Sequence, residues 1–150
     1  MIGGRRLWLV LLVLPGTLFG QAPSPTGLWT TIDDHTGKPR AQVRIVESDG
    51  SLEGTIVKIF PEPGEEPNPR CTECTDARRG QPVIGMTFLS GLRRASEGAV
   101  WTGGTILDPD SGRIYRSQAT LSDDGRELLV RGFIGIALLG RTQTWVRAEP

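Results

Sequence analysis

The chain has 150 residues, with 17 basic and 17 acidic side chains, one histidine and two cysteines. Balanced charge, with no block of lysine or arginine, leaves no face that could neutralise many phosphates, which excludes tight nucleic-acid binding. Two cysteines and one histidine fall short of the four ligands that a structural zinc site needs.

Arg5-Arg6 precedes the apolar run "LWLVLLVL", and the helix-breaking Pro15-Gly16 leads into the small residues of "FGQAPSP". A basic end, a short greasy core and a small-residue cleavage region form the pattern of a secretory signal. The run is too short for a permanent membrane span, which takes about 20 residues. Residues 1–22 are therefore expected to be a signal peptide, cut after Gly20 or Ala22, and residues 23–150 a single exported domain, periplasmic or extracellular. No cysteine lies beside the cut to take a lipid anchor, and the mature chain carries no second transmembrane run.

Beyond residue 22 helical periodicity is nearly absent. Short runs of Val, Ile, Thr and aromatics alternate with Gly, Asp, Asn and Pro clusters, which predicts strands. The runs fall near 28–32, 41–47, 52–60, 84–90, 99–107, 113–121, 127–133 and 140–147. Asp49-Gly50 in "ESDGSLEG" and Asp124-Gly125 in "LSDDGREL" suit tight hairpins because both residue types tolerate positive φ. "LDPDSGRIY" and "ASEGAV" supply two more turns. Neighbours in sequence should then pair as neighbours in space, an antiparallel meander. Closing it removes the two free edges. The expected fold is all-β, an eight-stranded antiparallel up-and-down barrel, with a two-sheet sandwich as the alternative. Gly103 and Gly104 inside a strand fit a bulge at a barrel corner.

In such a barrel Trp29 starts strand one at the bottom and Arg147 ends strand eight at the same level, where a guanidinium can stack on an indole. Arg141 lies six residues earlier, at the top. Gly-X-Trp (Gly27-Leu28-Trp29) on the first strand with an arginine late in the last resembles the lipocalin and wider calycin pattern. Two departures stand out: the first connection is short, where lipocalins have a long lid loop, and no helix follows the barrel. A resemblance over nearly the whole mature chain rests on "GLWTTIDDHTGKPRAQVRI", the Cys-X-X-Cys, "GQPVIGM", "WTGGTILDPDSGRIY" and "VRGFIGIALLGRTQTWVR" in that order. Together these are similar to the DUF2147 family, exported bacterial proteins of unknown function. The resemblance implies a lipocalin-like barrel in the bacterial envelope and carries over no catalytic residue.

Four segments converge at the top of the meander: "DDHTGKPR", the long loop around "PEPGEEPNPRCTECTDARRGQP", "DPDSG" and "IGIALLG". Asp33, Asp34, Asp108 and Asp110 reach this rim with His35. Four carboxylates suggest a hard-cation site, but aspartates at such positions ordinarily build side-chain turns, which is the better reading. His35 with Asp33 or Asp34 allows acid–base chemistry, yet no nucleophile stands beside it, so an enzyme at the acidic rim ranks behind other functions. No catalytic residue, metal or cofactor is expected.

Cys71 and Cys74 in "RCTECTD" sit among loop residues and lack the helix of a thioredoxin-type redox pair. In an oxidising compartment they are expected to staple the longest loop as a disulfide. "GFIGIALLG" is an uncharged apolar hairpin tip. Ile136, Leu138 and Leu139 are expected to fold into or over the barrel mouth, with membrane or partner docking as the alternative.

The leading expectation is a small-molecule binding protein carrying a hydrophobic or amphipathic ligand. Met86, Phe88, Trp101, Tyr115 and Phe133 would line the cavity, and Arg141 would offer a positive group to an acidic head. The alternative is an envelope structural or protein-interaction module with a filled barrel.

Overall fold

A computed structural model describes Met1 and residues 22–148; the expected signal peptide lies almost wholly outside the described residues. Eight strands follow one another: β1 Gly27–Ile32, β2 Pro39–Ser48, β3 Ser51–Ile59, β4 Thr87–Arg94, β5 Val100–Leu107, β6 Ile114–Leu121, β7 Glu127–Phe133 and β8 Arg141–Arg147. Each pairs antiparallel with the next, and β8 returns to β1 through Trp29↔Arg147, Thr30↔Val146 and Thr31↔Trp145. The barrel is closed, so the sandwich alternative falls.

Closure follows from side-chain alternation. On β1, Trp29 and Thr31 are buried; on β8, Trp145 is fully buried between partly buried Gln143 and Arg147. Val43, Ile45, Leu52, Ile56, Leu128 and Val130 continue the inward set round the wall. The buried faces of the two terminal strands favour one register, because a slip of one residue would turn each of them outward.

One strand is displaced by more than two residues from expectation. The fourth strand begins at Thr87 and runs to Arg94, not 84–90. Residues 84–86 instead finish the long loop, where the Met86 N–H bonds the Val83 carbonyl and the Gly85 N–H bonds the Ile56 carbonyl. The ladders of β3 with β4 and of β5 with β6 both carry register shifts, the latter spanning Gly103 between Trp101 and Gly104. These irregularities bend the wall at the predicted corner.

The bottom is sealed around Trp29. The Arg147 guanidinium lies 4.3 Å from the Trp29 ring centroid. Its Nε donates to the Gly125 carbonyl at 2.7 Å, Nη1 to Thr26 at 2.9 Å and Nη2 to Ser24 at 2.7 Å. The indole Nε1 donates to the Pro25 carbonyl at 2.8 Å. Gly27 has φ of +126°, and a Cβ there would come 2.9 Å from Arg147 Nη1. The glycine of Gly-X-Trp therefore clears the arginine's path. One guanidinium thus ties the N-terminal approach, the β6–β7 turn and the last strand together.

Candidate functional site

The opposite end is open and hollow. A cavity of about 670 Å³ enters between the β1–β2, β5–β6 and β7–β8 connections. Val43, Ile56, Phe88, Leu107 and Trp145 give it an apolar lining. Phe88 and Trp145 stack with ring centroids 5.9 Å apart. Thr31, Tyr115 and Gln143 add polar atoms to the lining, and Asp33, His35, Arg40, Asp108, Asp110 and Arg141 ring the mouth.

Strand parity explains the wall. Thr31 follows Trp29 by two, and Trp145, Gln143 and Arg141 precede Arg147 in steps of two, so the face that makes the floor also makes the cavity higher up. Ala41 and Val43 join them as the ladder partners of Thr31 and Trp29. Thr31, Ala41, Val43, Ile56, Gln143 and Trp145 were missed as lining residues, although counting in twos from the two ends of the motif would have found those on β1 and β8.

Four of the six expected lining residues, Phe88, Tyr115, Phe133 and Arg141, face this cavity; Met86 and Trp101 do not. Met86 ends the long loop just before β4 and is buried there. Trp101 opens β5 at the bottom, registered with Arg94 and Ala119, and the Arg94 guanidinium lies 5.3 Å from its ring centroid. Its face is inward but its height is wrong.

Most charges at the rim are engaged in local structure. Asp33 Oδ1 accepts from the His35 N–H, the Thr36 N–H and the Thr36 hydroxyl. The Thr36 N–H above all, then its hydroxyl, holds the Asp33 carboxyl below the usual range. Asp108 accepts from the Asp110 N–H at 3.1 Å and the Ser111 hydroxyl at 2.6 Å. These are turn-building contacts. Among the described residues, no group of three His, Cys, Asp or Glu side chains is set to hold a metal.

Arg141 donates through Nε to Asp34 Oδ2 at 2.8 Å. An acidic ligand at the mouth would therefore have to compete with Asp34 for it. Arg40 is likewise paired, through a bidentate ion pair with Glu65. That pairing raises the Arg40 pKa and lowers that of Glu65. Asp33, His35, Arg40 and Asp110 also border a second hollow of about 610 Å³, completed by Lys38 and the Phe60–Glu65 stretch.

The long loop braces this mouth. Cys71 and Cys74 form a disulfide and both are buried. Cys71 Sγ lies 3.3 Å from the Pro109 carbonyl. Gly112, with φ of +68°, packs so tightly on the loop that a Cβ would sit 2.0 Å from the Glu73 carbonyl oxygen. The loop thus buttresses the β5–β6 turn from outside. The tip at Ile134–Gly140 follows its expected placement at the mouth only in part. Ile134 and Leu139 border the cavity, but Ile136 and Leu138 point away from it and stay 61% and 82% exposed.

No curated protein matches the sequence. Among solved structures, a similar one is protein HP1028 from the human pathogen Helicobacter pylori, described as belonging to the lipocalin family. The TM-score is 0.71 at 19% identity, with 84% of each chain covered. At that identity the likeness shows the fold, a lipocalin-like barrel. The family model described as an uncharacterized protein conserved in bacteria, DUF2147, matches residues 27–147, from the glycine of Gly-X-Trp to the arginine stacked on its indole, and the chain belongs to that family.

Proposed function

We infer that the protein binds a small hydrophobic or amphipathic molecule in the open end of the barrel. One observation carries the reading: the hollow of about 670 Å³. Sites for small organic molecules fall in the range of about 300–1,000 Å³, mostly apolar with a few polar groups that orient the ligand. An apolar lining of Val43, Ile56, Phe88, Leu107 and Trp145, with the polar groups of Thr31, Tyr115 and Gln143 among them, has that character. The lipocalin-like fold supports the same reading by analogy.

The ligand's apolar part would rest on the stacked Phe88 and Trp145, and its polar end would meet the mixed charges of the rim. A polar head that both donates and accepts fits that ring better than a simple anion, because Arg40 and Arg141 already hold carboxylate partners. Export is part of the proposal. The signal-like N-terminus supports it, and the Cys71–Cys74 disulfide is compatible with an oxidising compartment.

A cavity-filling variant tests the reading. Ala41 borders the hollow and is only partly buried, so Ala41→Trp places an indole where the ligand would lie. The uncharged fluorescent probe N-phenylnaphthylamine is expected to bind the wild-type protein. In Ala41→Trp its affinity should fall on the order of tenfold or more, while the thermal midpoint changes little. Equal probe binding by both proteins would refute a site in this cavity.

A further inference from the structure

The β7–β8 tip is not used by the cavity reading, and its chemistry is unusual. Ile134, Ile136, Leu138 and Leu139 are 67%, 61%, 82% and 77% exposed. No charged side chain interrupts Gly132–Gly140. Monomeric proteins rarely leave such contiguous apolar surface without a use.

The tip is held in this outward pose. Arg131, at its base, donates through Nε to the Ala137 carbonyl, through Nη2 to the Leu138 carbonyl at 3.1 Å, and through Nη1 to the Thr142 hydroxyl at 2.6 Å. The Leu139 N–H bonds the Ile136 carbonyl and the Gly140 N–H bonds the Ala137 carbonyl, each at 3.2 Å. The carbonyls of Ile136, Ala137 and Leu138 are thereby satisfied within the protein while the Ile136 and Leu138 side chains stay exposed. Backbone groups entering hydrocarbon must be satisfied in this way, since no water remains to bond them.

We propose that this tip docks the open end of the barrel onto a lipid bilayer, with Ile136 and Leu138 entering the acyl boundary. The patch is too small for a stable protein partner: four side chains on one hairpin tip cannot supply the roughly 800 Å² per partner of a standard interface. Apolar burial without a demand for shape complementarity is what a lipid surface offers. Ile134 and Leu139 border the cavity as well, so the apolar surface runs from the tip into the hollow. A ligand could pass between bilayer and barrel along it without crossing water. The docking stands on the tip alone; the transfer rests on the ligand-binding reading above.

Charge sharpens the expectation. Asp33, Asp108 and Asp110 ring the mouth against Arg40 and Arg141, so anionic headgroups should give no advantage. The protein is expected to co-sediment with phosphatidylcholine vesicles weakly and reversibly, with no gain from added phosphatidylglycerol and little dependence on salt. The double substitution Ile136→Ser with Leu138→Ser removes the two apolar side chains that do not line the cavity. It should weaken vesicle partition on the order of tenfold or more, with an unchanged thermal midpoint and unchanged uptake of N-phenylnaphthylamine.

Wild-type protein that stays in the supernatant, or a double variant that sediments equally well, would overturn the docking. Self-association of the wild type that disappears in the variant would also overturn it, making a second copy the occupant. Probe uptake is read separately, so failure of the cavity reading remains distinguishable.

Discussion

Arg147→Ala is expected to lower stability by about 3–5 kcal/mol and the thermal midpoint by about 10 °C or more. The guanidinium makes three hydrogen bonds to backbone carbonyls, on Ser24, Thr26 and Gly125. Bonds to charged groups contribute roughly 1.5–3 kcal/mol each, not additively, because carbonyls left behind partly regain water. The stacked indole adds about 0.5–2 kcal/mol. Arg147→Lys should recover less than half of the loss, since a lysine cannot fork across three acceptors on separate segments. Trp29→Ala removes a fully buried indole and is expected to cost about 3–5 kcal/mol. Denaturant unfolding of the three variants checks this. Losses below about 1 kcal/mol would mean that the bottom of the barrel does not depend on this pair.

Gly112→Ala is expected to act at the other end, through the brace and not the barrel. Its left-handed conformation alone costs a non-glycine residue roughly 1–2 kcal/mol. The new Cβ would also stand 2.0 Å from the Glu73 carbonyl oxygen, so backbone must move. The long loop should lift from the β5–β6 turn, exposing the buried Cys71 and Cys74. Faster amide exchange across residues 61–86, easier reduction of the disulfide and weaker probe binding are expected together, because Asp108, Pro109 and Asp110 form part of the cavity mouth. Exchange rates equal to wild type would show that the loop does not depend on this contact.

The two ends of the barrel differed in how readable they were. Strand order was legible because four turn signals punctuate runs that alternate with period two, and closure follows once both terminal strands have buried faces. Trp29 and Arg147 could be placed at one level by counting strands. The cavity was harder. Phe88 and Leu89 are adjacent and both buried, which no simple alternation produces; the register shifts between β3 and β4 break parity there. Trp101 has the face of a lining residue but the height of a floor residue, and height depends on the stagger of the strands. The apolar tip misled for another reason. Composition favours burial, but Leu138 stays exposed while Arg131 holds the carbonyls of Ala137 and Leu138. The pairing of Arg141 with Asp34 joins residues 107 positions apart, a contact that no local pattern encodes.

Native mass spectrometry of the protein, purified from producing cells without detergent and then offered N-phenylnaphthylamine, addresses the hollow barrel most directly. A discrete added mass of one small apolar or amphipathic molecule, or of one probe molecule, is expected, and Ala41→Trp should not carry it. A bare chain mass before and after the probe is added would contradict that expectation.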